Sequence, residues 1–368
     1  MAESSGRIRF GVLGCGSIGP THMGAIRQIA DADLVAVADV VPERAASAAT
    51  RYGVSSVYTG LDALLADPAV DAICICTPSG LHADQAARAL RAGKHVVVEK
   101  PMDVSLEACD RLIAAEGETG KKLTIISQHR FDAASVLLKA AIDAGKLGRI
   151  VLADADVKWW RTQAYYDSGD WRGTWAMDGG GALMNQGVHS VDLLQWLTGG
   201  VSSLYGQIRT RAHERIEVED TAVAALAFEC GAIGTLTATT AAWEGYPVRI
   251  DIYGTDGSAV LEGDRLSLLR LKTGEEFKSE AAAAHALSVA SGGTASVKED
   301  AASRETAVEA AAPGAVWGDS HRAQIEDFIR AIRTDGTPLI DGREGRRPIE
   351  IITAVYRSAQ TGQPITIR

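Results

Sequence analysis

A chain of 368 residues exceeds the size at which single hydrophobic cores stop growing, so two domains are expected. Its hydrophobic share of 46% and charged share of 23% are those of an ordinary globular protein, and a formal charge of −10 offers no basic surface for nucleic acid or anionic membrane. No run approaches the roughly 18 apolar residues of a membrane span, "MAESSGRIRFG" lacks the apolar core of an export signal, and the scattered Cys15, Cys74, Cys76, Cys109 and Cys230 suit a reducing compartment, so a cytoplasmic location is expected.

From Ile8 to about Leu123 short apolar runs alternate with amphipathic segments. "IRFGVLG", "DLVAVAD", "DAICICT", "HVVVEK" and "KLTIIS" read as strands, separated by helical segments such as 21–29 and 81–92. Continuous apolar strands between helices predict a doubly wound parallel sheet, assigned to residues 1–126 as a dinucleotide-binding domain. Cys74 and Cys76 face one side of a strand and read as core; no Cys/His pair has zinc spacing, so no metal site is expected.

Residues 127–368 read as a substrate-binding and oligomerisation domain. A helix at 133–144 precedes the strand "GRIVLADADVKWW", a second apolar helix, and six strands from "LYGQIRTRA" to "RLSLLRL" joined by short turns. Strands in sequence with short links predict a large, mostly antiparallel sheet with helices on one face. Its other face suits a second copy of the chain, so a homo-oligomer, dimer or tetramer, is expected. The Ala-, Ser- and Glu-rich stretch 275–313 reads as a mobile excursion, and helices return at 320–333 and 348–361.

"GCGSIG" places Gly14, Gly16 and Gly19, with Ser17 and Ile18 between, in the spacing G-x-G-x-x-G between the first strand and first helix. Glycine serves the tight turn, the approach of a pyrophosphate and close helix–strand packing, and the helix N-terminus favours the anion. Asp39 closes the second strand, where a carboxylate accepts from a ribose 2′-hydroxyl and repels a 2′-phosphate, so NAD is expected over NADP. Thr77, Pro78 and His82 follow the next strand at the crevice; for His82 a helix-capping role and a cofactor contact both stay open. Glu99, Lys100 and Pro101 end another strand, where Lys100 would point toward the nicotinamide and the proline turn suits a cis bond.

In "GGGALMNQGVHSVDLLQW" Asn185, His189, Asp192 and Trp196 recur at helical spacing and fall on one stripe. A buried helix would lose stability by carrying such groups, whereas the wall of a cleft uses them. Oxidising a secondary alcohol needs a base within hydrogen-bond reach of the hydroxyl. His189 is assigned that proton and Lys100 the polarisation of the oxygen, the reverse staying open. Asn185 holds the substrate, Asp192 supports His189 or anchors packing, and Trp196 reads as core. In the insert "KWWRTQAYYDSGDWRGTWAMDGGG", Lys158, Arg172 and Trp175 are the preferred substrate contacts, because aromatic faces stack on sugars and arginines bind anions bidentately.

The ordered set G-x-G-x-x-G, Thr-Pro, Glu-Lys-Pro and Gly-Gly-x-Leu-x-Asn-x-Gly-x-His-x-x-Asp resembles the glucose–fructose oxidoreductase, inositol dehydrogenase and rhizopine-catabolism family, across essentially the whole chain. The resemblance implies a Rossmann domain followed by an open-faced sheet, with substrate between them and hydride exchanged with a nicotinamide. It matches Lys100 and His189 to the family's lysine and histidine, and Gln128 of "QHRF" to a motif bordering the active site. Asn185 departs from the aspartate of inositol-type members, and asparagine-bearing branches tilt the expectation to C3 of a pyranose. The expected substrate is a sugar, sugar derivative or cyclitol. A redox-neutral sugar lyase, hydrolase or epimerase with tightly held NAD, and a non-catalytic sugar or dinucleotide sensor, are the rivals.

Overall fold

The computed structural model describes residues 6–274, 276, 277 and 318–367. The excursion expected at 275–313 lies outside the described residues except for Glu276–Phe277.

Strands β1 (Ile8–Leu13), β2 (Ala32–Ala38), β3 (Ser56–Tyr58), β4 (Ala72–Ile75), β5 (His95–Val98) and β6 (Leu123–Ile125) form a six-stranded sheet in the order β3-β2-β1-β4-β5-β6. Every pairing is parallel. Helices α1 (Gly19–Gln28), α2 (Pro42–Tyr52), α3 (Leu61–Ala66), α4 (His82–Arg91) and α5 (Leu106–Thr119) connect these strands. β3, absent from the sequence-derived strands, is too short to carry a periodic signal. The order reverses between β1 and β4, and at such a switch point the strand ends leave a crevice open to a ligand.

Past α6 (Ala133–Asp143) comes the second sheet: β7 (Ile150–Lys158), β8 (Val201–Arg209), β9 (Thr221–Phe228), β10 (Ile233–Thr239), β11 (Arg249–Gly254), β12 (Gly257–Glu262), β13 (Arg265–Leu271), β14 (Glu276–Phe277) and β15 (Ile365–Thr366). Its order, β14-β13-β12-β11-β7-β10-β9-β8-β15, sets β7 between β11 and β10, and among the described residues β7–β10 is the one parallel pairing of this second sheet. That pairing follows from the helical crossover carried by α7 (Gln163–Tyr166) and α8 (Val188–Thr198) between β7 and β8. Along β7, Ala153, Ala155 and Val157 are buried while Asp154, Asp156 and Lys158 face the other side.

Two further helices close the molecule. α9 (Gly318–Thr334) sends Ile325, Phe328 and Ile329 into the apolar cluster of Phe10, Met23 and Ile26, completing the core of the first sheet. α10 (Gly342–Thr361) begins ahead of Pro348, where the sequence placed its start, because Asp341 caps it by accepting the Glu344 N–H at 2.9 Å. No helix among the described residues is long and apolar enough to cross a membrane.

Arg130, in the turn Gln128–Phe131 after β6, is 1% exposed and carries a charge into the interior. Its Nε and Nη2 donate to both oxygens of Asp192 on α8 at 2.8 and 2.6 Å, and its Nη1 donates to Glu344 on α10 at 2.8 Å. Removing one partner of a buried ion pair leaves an uncompensated charge. Asp192→Ala is therefore expected to cost about 3 kcal/mol or more in urea unfolding, whereas a surface pair such as Arg7–Asp33 is expected to change the midpoint little.

Candidate active site

The turn from β1 into α1 is shaped by contacts that a side chain would break. Gly14 has φ +98°, and a Cβ there would lie 2.4 Å from the Cys76 carbonyl oxygen; at Gly19 it would lie 2.2 Å from the Gly14 carbonyl oxygen. At Gly16 a Cβ would meet nothing within 4 Å, so this residue leaves backbone open to the cleft rather than to packing. α1 has no side-chain cap, and its first turn is available to an anion. At the end of β2, Asp39 accepts from Cys15 N–H at 2.8 Å and Val41 N–H at 2.9 Å, which fixes its carboxylate on the cleft wall.

The cleft, of about 880 Å³, runs from this turn to the helix bearing Asn185. Ser17, Ile18, Thr77 and Pro78 line its nucleotide end; Gly19 lies beneath, in α1. His82 also borders it, but the ring is buried, with Nε2 2.8 Å from the Thr77 oxygen and Nδ1 2.7 Å from the Pro101 oxygen, so it joins two loops. The Lys100–Pro101 bond is cis.

At the other end Glu99 is buried between His22, at 2.7 Å, and His321 of α9, at 3.4 Å. Burial alone would raise its carboxyl, but hydrogen bonds from the two imidazoles outweigh that and hold it well below the usual range. Its second oxygen accepts from Lys100 N–H at 3.1 Å. The Lys100 Nζ donates to the Asn185 carbonyl at 3.1 Å. Burial lowers its pKa, Glu99 and Asp178 oppose the shift, and Arg161 and Arg172 add to it. His189 is held well below its ordinary value by burial first, then by Lys100 and His129.

Asn185 and His189 sit where a wide turn, Ala182–Gly187, runs into α8. Glu219 caps this turn, accepting from Gly181 N–H at 3.0 Å, Leu183 N–H at 2.8 Å and the Tyr356 hydroxyl at 3.0 Å. Asn185 Nδ2 donates to Asp178, and its oxygen accepts from Gln186 at 2.7 Å. Asp178 was not among the sequence-derived candidates. It is 1% exposed, and burial pushes its carboxyl up against the pull of Gly173 N–H and Asn185. A carboxylate from another segment thus meets the Asn185 amide.

Arg172 also reaches the cleft, stacked over Tyr165 with its Cζ 4.3 Å from the ring centroid and donating to the Tyr165 hydroxyl at 2.6 Å. Arg161 covers the same tyrosine at 5.1 Å and donates to Gln186 at 3.0 Å. Four other candidates are not brought here. Lys158 points to the open face of the sheet and pairs with Asp156, Trp175 packs edge-on against Tyr356, Asp192 meets Arg130, and Gln128 is buried beside the cleft without lining it. Trp196 is partly buried under Arg130.

A glycine-rich turn aimed into a switch-point crevice, facing a lysine and a histidine across it, defines a nicotinamide-dependent dehydrogenase. Residues 8–127 match the NAD-binding Rossmann domain of the Gfo/Idh/MocA oxidoreductase family, and residues 135–260 match the C-terminal domain of that family. The WlbA dehydrogenase from Bordetella pertussis, in complex with NADH and UDP-GlcNAcA, is 36% identical with a TM-score of 0.85, covering 100% of this chain and 99% of that one. An inositol 2-dehydrogenase of Rhizobium meliloti is 30% identical over 73% of this chain and 80% of its own length. The NAD⁺-dependent scyllo-inositol 2-dehydrogenase of Bacillus subtilis is 24% identical over 98% and 96%. The chain belongs to the Gfo/Idh/MocA family, and it is an NAD-dependent oxidoreductase of the sugar and polyol dehydrogenase class.

Gly14→Ala should weaken NAD binding at least about tenfold in calorimetric titration, since left-handed backbone alone costs an alanine roughly 1–2 kcal/mol.

Proposed function

We propose that the enzyme oxidises a secondary hydroxyl, at C3 of a pyranose, in an anionic sugar derivative such as a nucleotide-linked uronic acid. The supporting observation is the pair of guanidiniums, Arg161 and Arg172, both held against the Tyr165 ring on the cleft wall beside Asn185. Two fixed cations there favour a carboxylate or phosphate over a neutral polyol. The WlbA relative supports the same class, and the asparagine at 185 is the feature favouring C3.

NAD⁺, bound along the glycine turn and Asp39, supplies the hydride acceptor. His189, kept neutral by burial and by Lys100, takes the hydroxyl proton. Lys100, anchored on the Asn185 carbonyl, donates to the same oxygen. Asn185, held by Asp178 and Gln186, keeps an amide proton for a neighbouring hydroxyl. The proposed oligomer uses the outer sheet face, where Val151, Tyr205, Val223, Ile233 and Tyr253 are exposed.

A screen of NADH formation with UDP-GlcNAcA, free glucuronate and myo-inositol tests this reading. UDP-GlcNAcA is expected to be oxidised best, and preference for myo-inositol would sink the anionic assignment. A redox-neutral enzyme would instead retain its NAD and release no NADH. Arg172→Ala should raise KM for UDP-GlcNAcA by about 10-fold or more, with kcat less affected. Because the pKa of His189 lies below the ordinary 6.5, its basic form persists as pH falls through that value. The acid limb of kcat/KM is therefore expected below pH 6.5, and a limb above it would argue against His189 as the base.

A further inference from the structure

A second cavity, of about 240 Å³, shares Trp159, Gln186 and His189 with the cofactor cleft. Part of its wall is apolar, with Val248, Ile250 and Leu261, and it also carries His129, Asp132 and Asp264. These polar groups run from the buried His189 to the exposed Asp264. His189 is 8% exposed; the side chains of His129 and Asp264 are 21% and 53% exposed.

The His129 and His189 rings meet edge-on, with centroids 5.0 Å apart and planes at 86°. Nδ1 of His129 lies 2.6 Å from Asp132 and 3.5 Å from Asp264. The other oxygen of Asp132 accepts from the Ser320 hydroxyl at the start of α9, so this carboxylate is held from two sides. An imidazole whose Nδ1 faces a fixed carboxylate carries its proton there and is basic at Nε2.

We propose that His129 is a proton-relay residue, taking from His189 the proton that leaves the substrate hydroxyl and passing it through Asp132 and Asp264 to water. The relay rests on the assignment of His189 as base. Oxidation of the carbinol by NAD⁺ yields ketone, NADH and one proton, and it is this proton that moves. His189 returns to its neutral form, Nε2 of His129 gains a hydrogen, and the Nδ1 hydrogen leaves by Asp132 and Asp264 to water at the cavity rim; exchange of the Nε2 hydrogen for one at Nδ1 through solvent then restores the starting tautomer. The charges have the required sense. His189 faces Lys100, His129 and His321, with Glu99 as its acidic neighbour, whereas His129 faces Asp132 and Asp264, the latter beside Arg265. Positive charge is therefore repelled at the buried ring, whereas the outer ring faces carboxylates.

The test compares wild type, His129→Asn and His189→Ala on whichever of the three probe sugars wild type oxidises. His129→Asn should lower kcat about 10- to 100-fold with KM unchanged, enlarge the solvent deuterium isotope effect on kcat, and recover rate with added imidazole. Wild-type kcat and isotope effect in His129→Asn beside an inactive His189→Ala would overturn the relay and leave the base assignment standing. An active His189→Ala would instead remove the base reading and the relay with it. Nitrogen NMR of the full-length, NAD⁺-bound protein needs no turnover: neutral His129 should be protonated at Nδ1, and the Nε2–H form would refute the proposal.

Discussion

A buried guanidinium has to be neutralised where it sits, and Arg130 is neutralised by two carboxylates from two different helices. That requirement fixes α8 and α10 relative to the turn that leaves the first sheet. The wall bearing Asn185 and His189 is consequently tied down at both ends: Glu219 holds the wide turn at its start, and the Arg130 fork holds Asp192 one turn past His189. Groups expected to meet small molecules gain from such rigidity, since a mobile wall would blur their distances to the cofactor. The same turn places His129 and Arg130 side by side with separate tasks, one against His189 and the other against Asp192.

The cleft shifts its ionisable groups toward their neutral forms. Burial lowers Lys100 and His189 and raises Asp178, so opposite types of group are brought nearer one another in proton affinity. Glu99 is the exception, kept ionised by His22 and His321. It stands immediately before Lys100 and accepts that residue's backbone N–H, so this buried negative charge also helps fix the lysine.

What could be read in advance was what depends on local pattern. Strand and helix periods located both sheets, and the glycine spacing with Asp39 picked out residues that line one end of the cleft, because each signal lies within a few consecutive residues. Asp178 beside Asn185, Glu219 beneath the wide turn and Phe328 against Phe10 join residues far apart in the chain, and no local period encodes them. Lys158 is a different case. The alternation in "ADADVK" already places Lys158 with Asp154 and Asp156, on the face opposite Ala153, Ala155 and Val157. The aromatic composition of the insert points Lys158 toward a substrate and strand parity points it away; Arg161, past the strand end, reaches the cleft instead. The stripe logic was partly overridden too: the wide turn changes the helical phase at Asn185, and Asp192 meets Arg130 rather than the cleft.

The return of α9 to the first sheet bears on how the chain is made. A ribosome releases β1 and α1 before α9, and the core around Met23 and Ile26 is completed only when Ile325 and Phe328 arrive. Until then the nucleotide-binding half has its sheet but carries an open hydrophobic flank, the kind of surface on which chaperones act. His321 travels on the same helix, so Glu99 receives its second imidazole in the same late step. Completion of the core and completion of the charge behind Lys100 are thus one event in the life of each molecule, and a chain truncated before α9 would lack both.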